Sequence, residues 1–179
     1  ARVTTDSQGY FEFPALAPGT YGIVIENLPF TYEPLIELPL EVTVEAGEIS
    51  FVDIPIARTG QISGRVFIDS NANGNGNNLI NNSNGNHLNA QGVSGVIIEV
   101  WANGQRVAET QTMVDGRFQF GGLAPGTYRV QIRERTLPLR HVIVTQHPIE
   151  IHLEPGQIRQ IGFGIVERVD IIVTFEDEE

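Results

Sequence analysis

VTTDSQGYFEFPALAPGTYGIVI, residues 3–25, and TQTMVDGRFQFGGLAPGTYRVQI, residues 110–132, are one stretch written twice. They align at a constant offset of 107 with LAPGTY identical in both, and self-similarity at a fixed offset marks a repeated structural unit. After a two-residue shift, EVTVEAGEISFVDIPIA from Glu41 lines up with EIHLEPGQIRQIGFGIV from Glu150, placing Gly47 on Gly156. The chain therefore holds two copies of one module.

The repeated unit reads as antiparallel strands. Phe11 and Phe13 alternate around Glu12, and Phe118 and Phe120 around Gln119, while Tyr128, Val130 and Ile132 alternate with Arg129, Gln131 and Arg133. That period of two turns one face inward. Helical periodicity is nowhere sustained. Gly9, Asp115-Gly116, Ala17-Pro18-Gly19 and Ala124-Pro125-Gly126 supply turns, and Asn103-Gly104 between VIIEVWA and QRVAETQ is the strongest hairpin signal. Tyr21 and Tyr128, just past their Pro-Gly turns, are placed to be tyrosine corners whose hydroxyl caps a backbone group at a Greek-key crossing. The expected fold class is all-β: tandem immunoglobulin-like or prealbumin-like antiparallel β-sandwiches with Greek-key connections. The expected domains are a partial module over residues 1–60, a complete module over 61–168 with an Asn-rich loop at 70–91, and a terminal strand with an acidic tail over 169–179.

Composition narrows the partners. With 179 residues, 41% apolar, the chain can bury a core of ordinary size. A net charge of −11, with eleven Arg and no Lys, argues against nucleic acid, which clustered cations would bind. Cysteine is absent, which removes disulfides, thiolate metal sites and a cysteine nucleophile. No apolar run is long enough to insert into a membrane, and Ala1-Arg2-Val3-Thr4 has no signal-like segment, so the chain reads as a mature product or an excised piece.

Only the second copy is preceded by QISGRVFID, the Asn-rich stretch and GVSGVIIEVW. The first copy then has half a sandwich, and an uncovered apolar face with open strand edges calls for a partner. Two sources fit: a longer tandem array of the same polypeptide, or neighbouring copies joined by strand pairing. For the second, VDIIVTF at residues 169–175 is a candidate donor strand, and head-to-tail donation generates a filament.

Between residues 69 and 90 the chain reads DSNANGNGNNLINNSNGNHLNA, with ten asparagines from Asn71 to Asn89. Asp69, Asn71, Asn73 and Gly74 have the spacing of the front half of a calcium loop, with Asn75 offering its carbonyl and Asn77 its amide oxygen. Asp115, in the following hairpin turn, could add a second carboxylate. Position twelve, where calcium needs a bidentate acid, is Ile80. The expected cofactor is therefore at most a weakly held calcium ion, and otherwise the loop is a tether whose side chains cap their own turns.

ISGRVFIDSNANG, then GVSGVIIEVW, then DGRFQFGGLAPGTYRVQI resembles the SdrD B-like and Cna B-type (prealbumin-like) repeats of bacterial surface proteins. The resemblance covers residues 61 to about 166 as a whole module and 1 to about 57 as a partial one. It implies a secreted or surface-anchored stalk, adhesin segment or fibre component, extracellular or on a surface filament, and not an enzyme. Its partners would be neighbouring modules, a surface glycan or a host matrix protein. Without lysine the chain cannot form the Lys-Asn isopeptide bond of many such domains. Counted back from Gly92, the family's calcium-loop glutamate falls on Ala90.

Other candidates read as structural. Strand parity puts His152 on the opposite face from His141 and His147, whereas zinc needs convergent ligands. The acids mostly occupy alternate strand positions and read as a solvated face. Trp101 ends a strand beside a turn, where packing at the core edge is favoured over stacking on a sugar; the alternative function it leaves open is a carbohydrate-binding accessory module. Asn81-Asn82-Ser83 is a glycosylation sequon.

Overall fold

The computed structural model describes residues 1–70 and 90–168. The chain divides into two compact units, Ala1–Ala57 and Arg58–Glu179. Candidate donor residues 169–175 lie outside the described residues.

The second unit is a β-sandwich of two four-stranded sheets. β5 (Gly60–Ile68), β8 (Arg117–Leu123), β10 (His141–Ile143) and β12 (Ile158–Glu167) form one sheet in the order β10-β12-β5-β8. β6 (Ile97–Ala102), β7 (Gln105–Gln111), β9 (Gly126–Ile132) and β11 (Ile149–Leu153) form the other in the order β11-β9-β6-β7. Alternation dictates which side chains meet. Ile98 and Val100 of β6, Val130 and Ile132 of β9, and Ile151 and Leu153 of β11 face Ile62 and Val66 of β5, Phe118 of β8 and Phe163 and Ile165 of β12, and every one of them is at least 98% buried. Asn103 and Gly104 take positive φ of 51° and 77°, as the two-residue turn between β6 and β7 requires. All pairings are antiparallel except β5 with β12, which run parallel from Gln61↔Ile158 to Ile68↔Ile165. Local patterning carries no mark of that direction, because these are the first and last strands of the module and meet only through the whole fold.

The first unit repeats part of this arrangement by itself. β1 (Gly19–Ile23) pairs with β3 (Leu40–Val44), setting Tyr21 against Val42, as β9 pairs with β11 and sets Tyr128 against Ile151. β2 (Tyr32–Pro34) pairs with β4 (Ile56–Arg58), the counterpart of β10 with β12. The backbone agrees in detail: Gly9 and Gly116 have φ of 82° and 81°, and cis prolines follow Leu38 and His147.

One expectation fails in this unit. The alternation of Phe11 and Phe13 predicts an aromatic strand, but residues 10–13 form none, although their counterparts Phe118 and Phe120 lie in β8. The two ring pairs still meet edge to face, at 6.0 and 6.1 Å. The difference is the missing neighbour. β8 hydrogen-bonds to β5, and the described residues of the first unit include no equivalent of β5. A strand is defined by its partner, so without one the alternating sequence stays irregular.

Burial shows the same lack. Ala57 is the one buried residue among those described in the first unit, and Ile49, Phe51 and Phe30 are 80%, 88% and 92% exposed. Tyr21, Ile23, Val42 and Val44 are half-buried where their counterparts are core.

Candidate functional site

The described residues on either side of the Asn-rich segment meet at one place. The Ile68 amide donates to the Gln91 carbonyl at 2.9 Å, and Phe67 bridges to Gly92. Gly92 then crosses the β7–β8 turn so closely that a Cβ would lie 1.9 Å from the Asp115 carbonyl oxygen. Arg65 fastens both sides, donating from Nε to the Asp115 carbonyl at 2.8 Å and from Nη2 to the Ala90 carbonyl at 2.7 Å.

Of the six expected calcium ligands, Asn71, Asn73, Asn75 and Asn77 lie outside the described residues. Asp69 is 5% exposed, and its side chain lies against Gly164, where an added Cβ would come within 3.4 Å of its Oδ2. Asp115 accepts from the Arg117 amide at 3.1 Å, and its other oxygen lies 3.3 Å from the Arg117 Nε. That carboxylate serves its own turn and already has a cation beside it, so as a calcium ligand it fits poorly. Among the described residues no group of three or more His, Asp or Glu side chains could hold a metal.

The second arrangement lies on the outer face of the β11-β9-β6-β7 sheet, where Glu99 and Trp101 of β6 alternate with the core residues. Glu99 is 6% exposed. Its Oε2 accepts from the Gln131 amide nitrogen at 2.9 Å and the Trp101 indole N–H at 3.2 Å, and its Oε1 accepts from the Arg133 Nε at 2.8 Å. Arg106 approaches the same oxygen at 3.4 Å, and both arginines reach Glu109 at 2.6 Å. Burial alone would raise the Glu99 pKa; the donors from Gln131, Arg133 and Trp101 outweigh it and hold the group at about 2. Glu99 is thus no part of a solvated face. The clue available in the sequence was parity, which puts Glu99, Trp101, Gln131 and Arg133 on one side of adjacent strands.

Trp101 also departs from expectation, since it lies outside the core cluster and borders a surface groove. The groove holds about 430 Å3 and is lined by Trp101, Asn103, Thr127, Arg129, Gln131 and Glu150, among others.

The histidines do not converge. His147 sits edge to face with Phe163 at 5.9 Å, and its Nε2 accepts from the Ile132 amide at 2.9 Å. Burial holds it below its ordinary pKa against the pull of Glu134. On the outer face, His152 meets the Thr127 hydroxyl at 3.2 Å, and His141 meets the Leu139 carbonyl at 2.9 Å.

Residues 60–146 match the SdrD B-like domain family, as the motifs from Ile62 to Ile132 led one to expect. No curated protein matches the sequence. Similar solved structures include the minor pilin GBS52 of Streptococcus agalactiae, 16% identical with a TM-score of 0.47, over 96% of this chain and 70% of that one. The Bacillus anthracis TIE protein is 15% identical with a TM-score of 0.46, over 91% of this chain and 28% of that one. BcpA, the major pilin subunit of Bacillus cereus, is 13% identical with a TM-score of 0.42, over 72% of this chain and 32% of that one. The chain thus spans less than a third of the TIE protein and of BcpA.

Proposed function

We propose, from a chain whose residues 60–146 carry an SdrD B-like domain, that it is a structural, non-enzymatic module of a bacterial cell-surface or filament protein, working outside the cell. The chain joins neighbouring modules through strand edges. β9 of the second unit is paired on both sides, by β11 and by β6, whereas β1 of the first unit is paired among the described residues by β3 alone, and this observation supports the joining. The first unit keeps the pairs β1–β3 and β2–β4, and among the described residues it lacks every pair that in the second unit involves β5 or β6. A two-stranded segment patterned like β5 and β6 would complete it. One strand would add to the edge of β1 that pairs with no described strand, as β6 adds to β9, and the other would cover Phe11, Phe13, Val52 and Ile54. Such a segment belongs to a neighbouring module of the same polypeptide or to another copy.

Amide hydrogen exchange across β1, measured with light scattering on the same sample, tests the joining. Among the Gly19–Ile23 amides, rapid exchange in the monomer is expected for those that point away from β3, with protection appearing on self-association or on fusion to a β5–β6 segment. Protection of those same amides in a strictly monomeric chain would mean that no vacant edge exists.

A further inference from the structure

We infer that the groove beside Trp101 is a binding site for a neutral oligosaccharide. Three observations converge on it, independently of the role proposed above. The first is a fixed aromatic ring. The Trp101 indole N–H is tied to a carboxylate that is itself held by Gln131 and Arg133, so the ring has already lost the freedom that binding would otherwise remove.

The second is a pair of opposite charges left apart. Arg129 of β9 and Glu150 of β11 are directly opposed in register, the arrangement in which cross-strand ion pairs form. No ion pair joins them among the described residues; Arg129 Nη2 instead donates to the Gln131 side-chain oxygen at 2.9 Å. Both line the groove with Trp101. A guanidinium that donates and a carboxylate that accepts, flanking an aromatic face, match a pyranose ring, which has an apolar face and a rim of hydroxyls that both accept and donate.

The third is size and sign. The groove volume of about 430 Å3 lies within the range of small-ligand sites. It crosses β6, β9 and β11, a span of about 10 Å at the usual strand spacing. Mixed charge disfavours a strongly ionic ligand, because an acidic one meets Glu150 and a basic one meets Arg129. The whole chain, at −11, repels polyanions as well.

Trp101 is the sole tryptophan of the chain, so its fluorescence reports this groove alone. Titration of the full chain with cellohexaose and with chitohexaose is expected to give a saturable change in emission with at least one of them, whereas a hyaluronan oligosaccharide gives none. Arg129→Ala and Glu150→Ala, both exposed, should each weaken the binding by about tenfold, the loss of one charge-assisted hydrogen bond, with the melting midpoint unchanged. Silence with both neutral sugars at millimolar concentration overturns the inference, and so does a response that survives both substitutions. Emission that changes with protein concentration alone would make the groove a contact between copies, and would equally overturn it.

Discussion

The phenolic hydroxyl of Tyr128 donates to the carbonyl of Ala124 at 2.7 Å, four residues back across the Pro-Gly turn. In the first unit Tyr21 makes the same bond to Ala17, also at 2.7 Å. The corner thus forms whether or not the sandwich around it is complete, and it belongs to the LAPGTY turn itself. Tyr128→Phe should destabilise the second unit by about 1–2 kcal/mol, because a part-buried carbonyl loses its donor. Tyr21→Phe should cost less, since water can reach Ala17. Urea unfolding of each variant measures both.

Glu99 makes the second unit sensitive to acid. Its folded value of about 2 lies below the ordinary 4.5, so its contribution is fully present above pH 4.5 and drains away as the pH falls toward 2. The shift corresponds to the order of 3 kcal/mol. Glu99→Gln should lose much of that at neutral pH, flatten the decline between pH 4.5 and 2, and converge with the unaltered protein in stronger acid. Parallel curves across that range would show that the network contributes little.

Gly92→Ala should be among the most damaging single-methyl changes. Its Cβ would strike the Asp115 carbonyl at 1.9 Å and Gly116 at 2.7 Å, both backbone atoms, and a forced shift of packed backbone costs about 3 kcal/mol. Gly121→Ala is the control, because a Cβ there meets nothing within 4 Å. Thermal melting of the two variants should separate them clearly.

Calcium bound by Asp69 and the asparagines after it is proposed from the sequence. A millimolar site at tenfold excess of ion would stabilise the second unit by about 1.4 kcal/mol. Melting with calcium and with chelator should show that difference, and Asp69→Asn should abolish it. Asp115→Asn should not, because that carboxylate is engaged by Arg117. An identical midpoint in both buffers leaves the segment without a metal.

Much of the fold was legible before any coordinates because it is local. The Asn103-Gly104 turn, the alternation through Tyr128, Val130 and Ile132, and both tyrosine corners follow from neighbours within a few residues. What escaped was set by distant partners. Nothing near Gln61 or Ile158 announces that they run parallel. Phe11 and Phe13 carry a strand pattern yet form no strand without a neighbour. Glu99 reads as one more solvated acid, since two of the donors that hold it, Gln131 and Arg133, are more than thirty positions away. Trp101 reads as a core-edge residue from its place beside the turn, but it shares the parity of Glu99, which turns it to the outer face.

The hydrogen bond between Ile68 and Gln91 has a consequence for how this protein can be altered. With the two ends of the excursion clamped, and Arg65 tying the exit to the neighbouring turn, the sandwich does not register how much chain lies between them. Each doubling of that length adds only about 0.6 kcal/mol of closure entropy. A foreign epitope, a tag or a small domain with adjacent termini, inserted between Ile68 and Gln91, should therefore leave the melting of the β-framework nearly unchanged.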